Sequence, residues 1–382
     1  MTPSASAARP GYRPAWAEVD LDAVRHNVRS LASVAAPARL LAVVKADAYG
    51  HGAVRVAQAA LDAGAEWLGV ALAEEGIELR EAGIDARVLI LSQPPAAAAA
   101  AIVEHGFTPV MYTNDGVDAL AKAVADAGAE PLRVHVKVDT GMHRVGCSPE
   151  ETAALIAHID ARPEIDVEGV CTHLAVADVP DDPYNAEQLD RFDDVLAALG
   201  DRANELIVHA ANSAGAIAHP RARHDLVRCG IAMYGIPPSP DLAGSADLQP
   251  VLSIKAQVSH AKPLASAESV SYGRHYRAPG DTHVVTVPIG YADGVPRNLG
   301  LTGGEVLIRG RRFPIAGSVT MDQLVVDLGP DGPMLDPDEP VTLLGRDGDE
   351  EVTATEWAER LGVIPYEVTT RIGPRLPKVY VP

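Results

Sequence analysis

Residues 42–52 read AVVKADAYGHG: an apolar run that ends in Lys45, then a Gly-containing turn that carries Tyr49 and His51. The run begins at Leu41 and is the first of eight. Outward along the chain follow LGVAL at 68–72, VLIL at 88–91, PVMY at 109–112, LRVHVKV at 132–138, VEGVCTH at 167–173, LIVHA at 206–210 and LVRCG at 226–230. Ala-rich, charge-flecked segments with helical spacing separate them, which is the pattern of repeated βα units. Parallel strands covered on both faces read as continuous apolar runs. An open doubly wound sheet shows the same alternation. Two features favour a closed (β/α)8 TIM-type barrel: the count of eight, and the position of Lys45, His173, Ser213 and Arg228 at or just after strand C-terminal ends, where barrels build their sites.

After Gly235 the pattern changes at IPPSPDLAGSADLQP, which reads as a linker. Period-2 runs follow, among them VLSIKAQVSHAK, THVVTVPIGY, EVLIRG, QLVVDLG and PVTLLG, with one helix near TATEWAERLG. The expected organisation is an α/β chain: a flexible tail over 1–14, the barrel over 15–240, a linker over 241–250 and a mostly β C-terminal domain over 251–382.

The 382 residues carry a net charge of −20, with 47% hydrophobic and 22% charged residues, an ordinary globular composition. An acidic chain has no basic footprint for nucleic acid or anionic lipid, so neither is expected as a partner. Three cysteines, Cys147, Cys171 and Cys229, form no CxxC pair, and neither a disulfide framework nor a metal cluster is indicated. No apolar stretch reaches the roughly 18 residues of a membrane span, and the start has no apolar signal core. A cytoplasmic protein is the expectation.

Lys45 ends a buried strand, so partial desolvation favours its neutral amine, which can condense with an aldehyde. A lysine that snorkels to solvent is the bland alternative. In DLVRCGIAMYG, Arg228 ends the eighth run and Gly230 and Ile231 open a turn whose N–H groups can cradle a phosphate. HAANSAG adds His209, Asn212 and Ser213 after the seventh run, in the corner where barrels commonly bind phosphate; ordinary turn usage of Gly and Asn reads equally well. In VHVKVDTGMHRVG, Lys137, Asp139 and Arg144 surround a strand end, with His173 on the next run. Arg144 could clamp a carboxylate and His173 could contact a cofactor ring, against the alternatives of a surface ion pair and a core histidine. In the β domain, VPIGYADGVPR carries Tyr291 and SVTMDQ carries Met321 and Asp322.

Taken together, AVVKADAYGHG, RCGIAMYG, IGYADG, MDQ and the late PYEV stretch resemble the bacterial alanine racemase family of pyridoxal 5′-phosphate enzymes, from about Trp16 to Tyr380. The resemblance implies that Lys45 holds the cofactor and is one acid/base group, and that Tyr291 is the other, on the opposite face. It implies phosphate contacts from Tyr49, Ser213, Gly230, Ile231 and Tyr366, with Asn212 in the same corner. Arg228 would face the pyridine nitrogen, supported by His209. Arg144 and Met321 would hold the substrate carboxylate, beside Asp322. His173 would lie near the cofactor ring, and Lys137 matches a position that is N-carboxylated in several relatives. Because Tyr291, Met321 and Asp322 lie in the second domain, the resemblance implies a homodimer with shared sites. The activity implied is interconversion of L- and D-alanine to supply peptidoglycan synthesis, with serine or another small amino acid as the alternative substrate. Two positions depart from the family pattern: Ser318 stands where many relatives have Arg, and His143 interrupts a Gly-Met-Gly-Arg motif.

Overall fold

Each of the eight apolar runs forms a strand. The structure is a computed structural model that describes residues 12–333 and 335–382, so the expected tail over 1–14 lies, for 1–11, outside the described residues. The described residues divide into two compact units, one of Asp22–Ala48 and Gly52–Gln249, the other of residues 12–21, Tyr49–His51 and the described part of Pro250–Pro382.

The first strand, β1 (Ala15–Asp20), belongs to the second unit. The barrel strands of the first unit are β2 (Arg39–Val43), β3 (Trp67–Val70), β4 (Arg87–Ile90), β5 (Thr108–Met111), β6 (Leu132–Lys137), β7 (Ile165–Cys171), β8 (Ile207–His209) and β9 (Leu226–Cys229). They pair in parallel in the order β8-β7-β6-β5-β4-β3-β2-β9. The circle is nearly closed between β8 and β9 by two backbone bonds, Asp225 N–H to Val208 O (3.0 Å) and Arg228 N–H to Ala211 O (3.0 Å). Every residue of β3, β5 and β9 is buried, as expected for strands packed on both faces. Helices between them show the apolar stripe that such packing needs. Asn114–Ala127 buries Val117, Leu120, Ala121 and Val124, starts on the Thr113 hydroxyl, which accepts from Gly116 N–H, and ends at the left-handed Gly128.

In the second unit, a mixed sheet runs Arg311–Pro314, Glu305–Ile308, Pro340–Asp347, Leu252–Gln257, β1 and Lys378–Val381 in that order. A three-stranded antiparallel sheet joins His260–Leu264, Thr282–Val287 and Leu324–Gly329. The period-2 runs of the sequence therefore appear as strands. The TATEWAERLG segment is the helix Ala354–Leu361, capped by the Thr353 hydroxyl and stopped by the left-handed Gly362.

Two boundaries are corrected. Residues 15–21, assigned with the barrel, contribute β1 to the C-terminal unit's sheet, antiparallel to Leu252–Gln257 and parallel to Lys378–Val381. Its AWAEVD alternation buries every second residue, the signature of a strand with one solvated face. Arg13, placed in the flexible tail, is held by a two-pronged ion pair with Asp293 at 2.8 Å on each oxygen.

Candidate active site

Lys45 is the second residue after β2 and opens a single helical turn, Lys45–Gly50. That turn is left-handed: φ is 52–54° at Ala46, Asp47, Ala48 and Tyr49. Four non-glycine residues in this region cost roughly 1–2 kcal/mol each, so surrounding contacts must impose the conformation. Glu75 accepts from Ala46 N–H (2.6 Å), and Asp47 accepts from Ala53 N–H through its side chain (2.9 Å) and from Gly52 N–H through its carbonyl (2.9 Å). Gly50 leaves no room for a side chain, since a Cβ would stand 2.2 Å from Thr369 O. Tyr234 adds a further clamp on the strand end by donating to Val43 O (2.8 Å).

Burial lowers the Lys45 pKa, and Arg144 lowers it further against the opposing pull of Glu75. Lys137, the last residue of β6, is pushed down to about 8, first by burial, with neighbouring Cys171 acting in the other direction and Arg228, Arg144 and Lys45 adding repulsion. The strand ends of this acidic chain thus gather four cationic groups, which suits an anionic ligand. Arg144 lies in a loop built on Asp139, whose carboxylate accepts from Gly141 N–H and His143 N–H at 3.0 Å each. His143 holds φ 54° there, which explains why a glycine would suit the position. Lys137, Asp139, Met142, Arg144 and His173 line one small recess.

Arg228 is buried and its terminal nitrogens are fully committed. Nη1 donates to His209 Nδ1 (2.7 Å) and His209 O (3.2 Å); Nη2 donates to Thr172 O (2.8 Å), Ala210 O (2.9 Å) and His173 Nδ1 (3.1 Å). Nε–H makes no hydrogen bond to the described residues. Arginine has no acceptor, so both histidines present a bare Nδ1 to it. Burial, with Arg228 next, lowers both His173 and His209 well below the usual imidazole range, which keeps them neutral.

The Ser213 hydroxyl accepts from Gly230 N–H (2.8 Å) and lies 3.4 Å from Ala232 N. Ile231 opens the turn Ile231–Tyr234, so its N–H has no intrahelical acceptor. Asn212 has another duty: its Oδ1 caps the helix Ser213–Ala218 at Gly215 N–H (2.9 Å).

The second unit brings together the remaining expected residues in two groups. Tyr49 and Tyr366 place their rings 5.9 Å apart, and burial, with Tyr366 beside it, raises the Tyr49 pKa. Tyr291 and Met321 sit on two loops tied by Tyr291 N–H to Thr320 O (3.0 Å) and Ala292 N–H to Met321 O (3.1 Å). Both side chains are exposed, at 41% and 51%. Buried Asp293 anchors the first loop by accepting from Gly290 N–H (2.9 Å), and Asp322 pairs with Arg375. Ser318 is buried with its hydroxyl unpartnered among the described residues.

Sequence reasoning missed His135, Glu168, Arg87 and Trp67. His135 Nδ1 lies 2.7 Å from His209 Nε2, and Glu168 accepts from Arg87. The signal was present in LRVHVKV, where Arg133, His135 and Lys137 alternate through a strand that is otherwise apolar.

The alanine racemase N-terminal domain family matches residues 19–238, and the alanine racemase C-terminal domain family matches 251–380. An alanine racemase of Symbiobacterium thermophilum is 46% identical over 371 residues, covering 97% of this chain and 98% of that protein. The crystal structure of alanine racemase from D-cycloserine-producing Streptomyces lavendulae superposes with a TM-score of 0.90 at 39% identity, covering 97% of this chain and 98% of that one. A histidine racemase from Leuconostoc mesenteroides is also similar, with a TM-score of 0.87 at 30% identity and coverage of 98% and 99%.

Proposed function

The chain belongs to the alanine racemase family, and from that premise we propose that it interconverts L- and D-alanine with pyridoxal 5′-phosphate. The observation that carries the cofactor reading is the pairing of a desolvated Lys45 amine with a buried Arg228 whose Nε–H is the one donor left over. This donor set fits the group: an amine whose charged form burial disfavours for its aldehyde, a donor for its ring nitrogen, and the Ser213 hydroxyl, held by Gly230 N–H, with the Ile231 N–H for its phosphate. Tyr49 and Tyr366 are assigned as further phosphate contacts, with Asn212 shaping the corner as a helix cap. Bound cofactor supplies an electron-withdrawing ring that acidifies the Cα–H of the amino acid it holds.

Lys45 then takes or returns the α-proton on one face. Tyr291 serves the other face. Inversion requires a base on each side of a flattened carbon, and one group cannot reach both. Arg144 has the guanidinium to clamp the substrate carboxylate, Met321 offers a backbone N–H, and Asp322 stands beside it. Carboxylated, Lys137 would present an anion that orients Arg144; as a free amine it only repels that guanidinium. His173 lies beside Arg228, with its Nδ1 held by that guanidinium, which leaves Nε2 for the ligand. Arg228 keeps its protons, so it would hold the ring nitrogen as a donor only, and the bound group would supply a weaker electron sink than one with a protonated ring.

The exposure of Tyr291 and Met321 supports a homodimer in which a partner copy covers them. Three buried, unpaired cysteines support a reducing, cytoplasmic setting, and no described helix is long and apolar enough to cross a membrane. D-alanine for peptidoglycan is the assigned product. The test is the visible absorbance of lysine-bound cofactor in purified protein, followed in the same sample by loss of circular dichroism with L-alanine and then L-serine. Cofactor absorbance with faster loss on L-alanine is the expected result; persistence of both signals would reject the activity.

A further inference from the structure

The barrel interior holds a polar column that the reaction as described does not use. It starts at Arg228 on β9 and runs through His209 on β8 and His135 on β6 to Glu168 on β7. The proton positions follow from one chemical fact, that a guanidinium cannot accept a hydrogen bond. Arg228 Nη1 must donate to His209 Nδ1 (2.7 Å), so the His209 proton is on Nε2. His209 Nε2 therefore donates to His135 Nδ1 (2.7 Å), which puts the His135 proton on its own Nε2, 3.4 Å from Glu168 Oε2. Each ring proton along the path lies on the Glu168 side of its ring, and the last link, His135 Nε2 to Glu168 Oε2, is a close charge contact and not a hydrogen bond.

Three further features show that the column is built rather than incidental. Gly169 is paired with His135 across the strands, and a Cβ at Gly169 would stand 2.8 Å from His135 Nδ1, so the glycine makes the ring's space. Trp67 packs against that ring with centroids 5.5 Å apart, and the Arg87 guanidinium lies 3.7 Å from the indole centroid. Arg87 holds Glu168 with both of its carboxylate oxygens, and Arg133 is 3.5 Å away. Meanwhile Arg228 has no carboxylate among its hydrogen-bond partners, which are carbonyls and imidazoles. A buried cation without a counter-charge is costly, and aligned dipoles that end on an anion offset that cost because each bond polarises the next.

We propose that Glu168 is the remote counter-ion of Arg228, coupled to it through the proton-ordered pair His209–His135. Glu168, His135 and His209 are thus positioning residues: they hold Arg228 as a donor-only cation and leave its Nε–H for the ring nitrogen. This last step rests on the function proposed above; the coupling itself does not. Burial lowers the pKa of both imidazoles, and Glu168, despite its own burial, is drawn down to about 2 by His135 and Arg87, so neutral rings and an ionised end agree with the geometry.

The test is long-range proton–nitrogen correlation NMR of the histidine rings, on the full chain as purified and again after cofactor removal. Both His209 and His135 should appear as neutral rings protonated on Nε2; a ring protonated on Nδ1 at either position would overturn the proposal. Glu168→Gln should then move the Nε2 proton resonances of both histidines upfield, because the anion is felt through the first ring at the second. A shift confined to His135 would overturn the coupling. If that variant fails to fold, Glu168→Asp lengthens the last contact while keeping the charge, and the same two resonances should move together by less. Absent racemisation with the two-ring response intact would reject the function and leave the counter-ion standing, whereas normal racemisation with an unmoved His209 would reject the counter-ion alone.

Discussion

Arg228 Nη1 lies 2.7 Å from His209 Nδ1 in the closed interior of the barrel. Because only the arginine can donate, this contact fixes the histidine tautomer and keeps a full guanidinium charge at the end of β9. Arg228→Lys retains the charge but has no planar fork to serve Thr172 O, Ala210 O and His209 O together. Leaving these buried acceptors unsatisfied should lower stability by about 2–4 kcal/mol, read as the shift of a urea unfolding midpoint. An unchanged midpoint would mean that the fork does not organise the strand ends.

Lys45→Ala should abolish both the visible cofactor absorbance and racemisation, since it removes the amine assigned to hold the cofactor. The fold should survive, because the removed amine is one whose charged form burial disfavours. Full activity in this variant would sink the covalent role.

Tyr291→Phe removes a hydroxyl from an exposed loop residue, so stability should change by less than about 0.5 kcal/mol. Exchange of the α-proton should slow much more for one enantiomer of alanine than for the other. Equal slowing of both would count against bases on opposite faces.

His143→Gly relieves a left-handed residue at φ 54° but also frees the unfolded chain and loses an exposed contact to Asp139 at 3.6 Å. The first effect is worth roughly 1 kcal/mol and the glycine entropy takes back part of it. A small gain in midpoint temperature is expected; a clear loss would show that the histidine side chain holds the Arg144 loop.

Lys137 supplies the pH dependence. Its pKa falls from the ordinary 10.5 to about 8 in the folded chain, so the unfolded state binds more protons between these values and stability rises with pH across that window. Below pH 8 the buried charge destabilises the fold in full. Lys137→Met should therefore be more stable than the parent at pH 7, with the difference shrinking toward pH 10. A difference independent of pH would contradict the burial of a titrating amine, and carboxylation of Lys137 would produce that result.

The barrel was legible because strands such as Trp67–Val70 and Leu226–Cys229 are buried throughout and so are written as unbroken apolar runs. Lys45, Lys137, Ser213 and Arg228 were legible for a related reason: a polar residue at the end of such a run stands where barrels open. The β1 strand was not, because the partners that recruit Ala15–Asp20 to the second unit lie more than 200 residues away in sequence. The left-handed turn after Lys45 was hidden as well, since KADAYG has ordinary helix formers and its handedness is imposed by Glu75 and by the fit at Gly50. His135 and Glu168 lie inside runs whose reading goes no further than a strand, and only the three-dimensional closure of the barrel reveals that they meet.

The most direct test of the two-base account is racemisation of L-alanine in deuterium oxide, sampled early and analysed for deuterium in each enantiomer. If Lys45 and Tyr291 act on opposite faces, the D-alanine formed carries solvent deuterium at Cα while the remaining L-alanine stays protiated. Deuterium entering the remaining L-alanine as fast as D-alanine appears would show a single base that exchanges with solvent on one face, and would contradict the assignment.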